Sequence, residues 1–132
     1  MIKKSISYTD YNGLARNEDH YFHISQAEMA EMEMSISGGL TAMINRIVST
    51  QDMPELMKLF KDFILKSYGV KSPDGKMFIK IDKDGHRLAD DFVQTEAYNQ
   101  LFMELIKDVN KASTFFNEII ESGKPQQAAP TN

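Results

Sequence analysis

The stretch that decides the fold is TEAYNQLFMELIKDVNKASTFFNEIIES, residues 95–122. Its apolar residues recur alternately four and three positions apart, which is the spacing of one face of an α-helix. The stripe consists of Tyr98, Phe102, Leu105, Val109, Ala112, Phe116 and Ile119. We therefore predict a helical segment over residues 91–121, and one continuous helix over the quoted stretch would be about 40 Å long. Either that helix projects from the domain, or it breaks at Asp108, a residue type that caps helix N-termini.

The composition is that of one domain without disulfides. The chain has 132 residues and no Cys, so disulfides and Cys-based zinc sites are excluded. Fifteen basic and nineteen acidic residues give a net charge of −4, which argues against nucleic acid as the partner. No apolar run approaches the roughly 18 residues of a membrane span, and the first residues lack the apolar core of a signal peptide. We predict a single domain over residues 1–122 and a flexible tail over 123–132.

The first part of the chain has the pattern of a β-hairpin. Residues 2–8 and 16–24 have the alternation of strands, and Asn12-Gly13 between them can adopt the positive φ angles of a tight turn. A lone hairpin is only marginally stable in water. We therefore expect this hairpin to pack on the helices that follow it.

Three helices are predicted after the hairpin, at residues 26–35, 39–49 and 53–68. Ser25 and Glu28 form a capping box at the start of the first helix, and Pro54 opens the third. The apolar faces of these helices must be covered by the long C-terminal stripe. The residues expected to be buried together are Phe60, Phe63, Ile64, Phe102 and Leu105.

The segment between the third helix and the C-terminal stripe contains turn signals. Pro73-Asp74-Gly75 and Asp84-Gly85 flank a short apolar run at residues 77–81, which favours a strand and a second short hairpin. The predicted fold class is therefore α+β. An N-terminal β-hairpin packs on about four mostly antiparallel helices.

No catalytic or metal-binding motif is found in the sequence. His20 and His23 lie three residues apart in a predicted strand, so their side chains point to opposite faces and cannot chelate one ion. The run from Asp82 to Gly85 is similar to part of a calcium loop, but that alignment places Lys80 at the first ligand position. A hairpin turn is the better interpretation. We predict a protein that is not an enzyme and that needs no metal or cofactor.

Four stretches of the sequence together resemble the tail assembly chaperones of long-tailed bacteriophages, especially phages of Gram-positive bacteria. These stretches are ISYTDYNG (6–13), EDHYFHISQAEMAEMEMS (18–35), LFKDFILKSYGVKSPDGKMFIK (59–80) and DDFVQTEAYNQLFMELI (90–106). The resemblance implies a small protein of the infected host's cytoplasm that is absent from the mature virion. It also implies binding to the long, largely helical tape-measure protein, which is kept soluble while the tail tube assembles. The tail-tube protein and a second copy of the chain are further candidate partners.

The candidate client-binding residues come from two helices. Phe115 and Phe116 are adjacent and point about 100° apart on a helix, so we expect one of them to remain exposed for a client helix or a second copy. Methionine also lines adaptable binding surfaces, which makes the helix at 26–35 the second candidate. The residues are Phe115, Phe116, Ile119, Ile120, Met29 and Met32. Two alternatives stay open, namely a nucleic-acid-binding or regulatory phage protein and a tail-completion or connector protein that remains in the virion.

Overall fold

The computed structural model describes residues 1–123, which form an α+β fold, as predicted. The strands are β1 (Ile2–Thr9), β2 (Ala15–Phe22), β3 (Tyr68–Lys71) and β4 (Phe78–Ile79). The helices are α1 (Gln26–Ser35), α2 (Leu40–Thr50), α3 (Met53–Ser67), α4 (Leu88–Phe92), α5 (Glu96–Ile106) and α6 (Val109–Ser122). None of these helices is long and apolar enough to cross a membrane. Of the predicted tail at 123–132, residues 124–132 lie outside the described residues, and Gly123 closes α6 by donating its N–H to the carbonyls of Ile119 and Ile120.

The four strands form one antiparallel sheet in the order β1-β2-β3-β4. The predicted N-terminal hairpin is confirmed, and Ile2 pairs with Phe22 at its open end. The sheet then continues through Tyr68, which pairs with Phe22 although we placed it at the end of the third helix. Helix α3 instead ends at Ser67, because pairing with β2 satisfies the backbone groups of the residues that follow.

The second hairpin is present, and it is closed by the first of the two predicted turns. Strands β3 and β4 are joined across Pro73-Asp74-Gly75, and Val70 pairs with Ile79. Across the Asp84-Gly85 turn, Ile81 and Arg87 pair in an isolated antiparallel β-bridge. Asp82 stabilises this second turn by accepting hydrogen bonds from the backbone N–H groups of Asp84 and His86, as expected for a turn.

The long C-terminal segment is divided into three helices. The break at Asp108 is confirmed, since its Oδ1 accepts a hydrogen bond of 2.9 Å from the N–H of Asn110 and so caps α6. Continuity from residue 91 is wrong, however, because Thr95 interrupts the helix. The Oγ1 of Thr95 donates to the carbonyl of Phe92 and accepts from the N–H of Tyr98, so it ends one helix and caps the next.

The helices cover one face of the sheet. Helices α5 and α6 contact β1, α3 contacts β2, and α4 contacts β3. On β1, Ile6 is buried under the helices, whereas Lys3, Ser5 and Ser7 on the other face are exposed. The predicted core residues Phe60, Phe63, Ile64 and Leu105 are buried. Phe102 is only half-buried, although its ring lies 5.4 Å from that of Phe60.

Candidate functional site

The C-terminal candidates lie mostly in the core. Phe115 is 3% exposed, and Phe116 and Ile119 are fully buried, so the expectation that one of the two phenylalanines stays exposed is wrong. The ring of Phe115 lies 5.5 Å from that of Phe22 in the sheet, whereas the ring of Phe116 lies 4.8 Å from that of Phe63 in α3. The sequence argument assumed one covering surface. Helix α6 is covered by two surfaces, and each of them buries one ring.

Ile120 is the C-terminal candidate that keeps partial exposure. It packs against the edge of the core without being enclosed by it. Whether these residues contact a client is a separate matter from their burial, and their role in binding stays a prediction.

The methionine-bearing helix α1 is anchored at three points. At its start, the Ser25 hydroxyl accepts from the N–H of Glu28, as the capping box predicted. The Glu28 carboxylate accepts two hydrogen bonds from Lys80 Nζ, at 2.7 and 2.8 Å. Near the other end, Glu33 Oε1 accepts from the N–H of Leu40 at 2.9 Å. These contacts hold α1 against the β4 segment on one side and α2 on the other.

Of the two methionine candidates on α1, Met32 is buried and Met29 is half-buried against the core. Met34 was not among the predicted candidates, yet it is 89% exposed. The sequence could not rank the three, because α1 has no clear apolar face. Their exposure depends on where the sheet and α2 lie.

The β3–β4 hairpin carries an apolar surface that the sequence did not identify. Val70 is 43% exposed, and Met77 and Ile81 are each 61% exposed. Val70 lies directly opposite the half-buried Ile79. Alternation along the strand places Met77, Ile79 and Ile81 on one side. We call the surface formed by Val70, Met77, Ile79 and Ile81 the hairpin patch.

The hairpin patch is exposed because the helical layer ends before the sheet does. Tyr68 lies on the helix-covered face of β3, and its ring stacks on that of Phe92 with centroids 4.3 Å apart and planes 7° apart. Val70 follows two residues later on the same face, where α4 no longer covers it. The only signal in the sequence was the alternation near residue 79, which cannot show what lies above a strand.

An electrostatic contact lies on the side of the hairpin opposite to the patch. Lys80 binds Glu28, and its Nζ lies 6.0 Å from the centroid of the Phe78 ring. The ring of His23 also packs on Phe78, with ring centroids 5.5 Å apart. Partial burial opposes ionisation of Glu28, but the hydrogen bonds from Lys80 and from the Ser25 backbone lower its pKa on balance. Glu28 therefore stays ionised, which holds α1 to the hairpin.

A second polar group lies between the sheet and α4. The hydroxyl of Tyr8 donates a 2.6 Å hydrogen bond to Glu18, and this bond is the main reason that the pKa of Tyr8 rises to about 12. His20 Nδ1 lies 3.2 Å from the Tyr68 hydroxyl, and its ring packs 4.9 Å from that of Phe92. Its Nε2 lies 3.4 Å from Glu18, close enough for an ionic contact but without hydrogen-bond geometry. Burial lowers the pKa of His20, so its neutral form is favoured.

The two histidines are thus used in separate packing contacts, His20 against Phe92 and His23 against Phe78. Within residues 1–123, no three side chains of His, Asp or Glu are grouped so that they could hold a metal ion.

The fold first defines a class, namely a small α+β domain whose antiparallel sheet is covered by helices on one face. Comparison with protein families then identifies the family within that class. A family model described as phage tail assembly chaperone matches residues 1–128, and the chain belongs to this family. No curated protein and no solved structure matched the chain.

Proposed function

We propose that this protein binds the tape-measure protein of its phage and keeps it soluble while the tail tube assembles around it. Membership of the tail assembly chaperone family is the observation that carries the proposal. The function is binding without catalysis, in the cytoplasm of the infected host. A chaperone leaves its client when assembly is complete, so we expect the protein to be absent from finished virions.

The exposed side chains support a role in protein contact. The chain has nine methionines, and those that are exposed among residues 1–123 are Met1, Met34, Met57, Met77 and Met103. Methionine has three rotatable bonds and a polarisable sulfur, so its side chain adapts to apolar surfaces of different shape. Exposed methionines therefore suit contact with a long client that presents many similar helical segments.

The test is co-expression of the chain with the tape-measure protein of the same phage. We expect the tape-measure protein to sediment when it is expressed alone and to remain in the supernatant, bound to the tagged chain, when both are present. The tail-tube protein and an untagged second copy of the chain are assayed in the same pull-down. A tape-measure protein that stays insoluble and unbound in the presence of the chain would contradict the proposal.

Two further measurements separate the alternative functions. Mass spectrometry of purified virions should not detect the chain, whereas a connector protein would be present in stoichiometric amounts. A shift of DNA in a gel that weakens steeply with salt would instead indicate a nucleic-acid-binding protein.

A further inference from the structure

The hairpin patch is placed to receive another molecule rather than to complete the core. The helix-covered face of the sheet is enclosed as far as Tyr68 and Phe92, and the patch continues that face beyond α4. Residues Met77 to Lys83 line a single open cleft beside β4, with a volume of about 600 Å³. An apolar surface that extends a core face into solvent is a common feature of protein-binding sites.

The occupant cannot add to the sheet as a long strand. Strand β4 has only two residues, and the backbone just after it is already paired with residues 86–88. The Lys80 carbonyl accepts from the N–H of Leu88 at 2.9 Å, and the N–H of Asp82 donates to the His86 carbonyl at 2.9 Å. An occupant must therefore contact the side chains of the patch, as an amphipathic helix does with residues spaced three and four apart.

The charge around the patch favours certain side chains on either side of the apolar stripe of such a helix. Residues 70–84 contain four lysines and three aspartates, whereas the rest of the chain contains eleven basic and sixteen acidic residues. Lys76 and Lys83 have no ion-pair partner within residues 1–123. Carboxylate oxygens of Asp74 and Asp82 accept backbone N–H groups in their own turns. The hairpin segment thus carries a net charge of +1 in a chain whose total net charge is −4, and two of its lysines have no ion-pair partner among residues 1–123.

The chain itself contains an example of the contact that this region makes. Glu28 lies in the first turn of helix α1, and Lys80 of the hairpin binds both of its carboxylate oxygens. Lys80 alternates with Ile79 along the chain, so α1 is held against the side of the hairpin opposite to the patch.

From these observations we propose that the hairpin patch binds a helical segment of the client that carries an apolar stripe flanked by Asp and Glu. Met77 and Ile81 contact the apolar stripe, and Lys76 and Lys83 contact the acidic flanks. This inference rests on the proposed function, because it names the surface through which the client is held.

The first experiment compares two patch variants with two matched controls. The patch variants are Met77→Ser/Ile81→Ser and Lys76→Glu/Lys83→Glu. The controls are Tyr11→Ser/Leu14→Ser and Lys58→Glu/Lys61→Glu, which change exposed residues of the β1–β2 turn and of α3. We expect both patch variants to bind the tape-measure protein about tenfold or more weakly, since each loses apolar contacts or reverses charge. The controls should bind within about twofold of the parent, and all four should melt like the parent.

The second experiment tests the acidic flanks directly. Overlapping fragments of the tape-measure protein are titrated with the chain, and the acidic residues of the tightest fragment are then replaced with Lys. The Lys fragment should bind the parent chain about tenfold more weakly, and the Lys76→Glu/Lys83→Glu variant should recover that binding.

The outcomes separate this inference from the proposed function. If the parent chain binds no part of the tape-measure protein, the proposed function fails. If the parent binds but the patch variants bind equally well, or if the charge exchange recovers nothing, the proposed function stands and the hairpin patch is not the site.

Discussion

Replacing Phe116 with Ala tests whether α6 belongs to the core or to a binding surface. The ring is fully buried and lies 4.8 Å from that of Phe63 and 6.3 Å from that of Phe60. Truncating a buried Phe costs about 3–5 kcal/mol, which includes the cavity that is left. Domains of this size have a free energy of unfolding of about 5–15 kcal/mol, so the variant should lose a large part of its stability. We expect its melting temperature to fall by about 10 °C or more.

Urea unfolding followed by circular dichroism measures this loss. The midpoint should fall while the slope stays unchanged, because the same surface is exposed on unfolding. Phe116→Leu should cost about 1.5 kcal/mol or less, since it keeps most of the apolar volume. The control is Asn117→Ala, which changes the next, exposed residue of α6 by less than about 0.5 kcal/mol. A Phe116→Ala variant as stable as the parent would refute the packing described for α6 and would return Phe116 to the client-binding candidates.

Three further changes test the sheet, the polar group beside α4 and the break in the C-terminal segment. Gly69→Ala should lower the melting temperature, with a cost of about 1–3 kcal/mol, because its Cβ would lie 2.5 Å from the Ile79 carbonyl oxygen and 2.7 Å from the Phe78 ring. An unchanged melting temperature would show that β4 can move away without loss. Burial lowers the pKa of His20 in the folded state, so its contribution to stability should be present above about pH 6.5 and be lost as the pH falls below it. In urea titrations, the free energy of unfolding should therefore fall less between pH 7.5 and pH 5.5 for His20→Gln than for the parent. An equal fall in the two proteins would contradict this assignment. Asp108→Ala should cost about 0.5–2 kcal/mol in the same assay, whereas Asp108→Asn keeps the capping oxygen and should be nearly neutral; equal costs for the two variants would mean that the cap does not stabilise α6.

The elements that the sequence predicted well are those with local causes. The capping box of Ser25 and Glu28 starts α1, and the Asp108 side chain caps α6, as expected from their positions in the sequence. The strands beside Asn12-Gly13 likewise form the N-terminal hairpin, and in its turn Gly13 adopts a positive φ whereas Asn12 does not. In each case the interacting groups lie within a few residues of one another, so a short stretch of sequence contains the whole signal.

Strand β3 could not be predicted in this way. Tyr68 and Gly69 read as the end of a helix, because the strand that they pair with, β2, lies more than forty residues earlier in the chain. Thr95 was missed although its contacts are local. Its side chain competes with the helix for the Phe92 carbonyl, and this contact is not visible in the apolar pattern, which begins at Tyr98.

The sequence by itself determined the α+β class, the positions of the first three helices, and which residues are apolar enough to be buried. Only the tertiary structure decided which apolar residues are covered. Phe115 and Phe116 are both buried because α6 lies between the sheet and α3. Val70 and Ile81 are exposed because α4 does not extend over this end of the sheet. A side chain's hydrophobicity is a property of the residue, whereas its burial depends on elements that are distant in the chain.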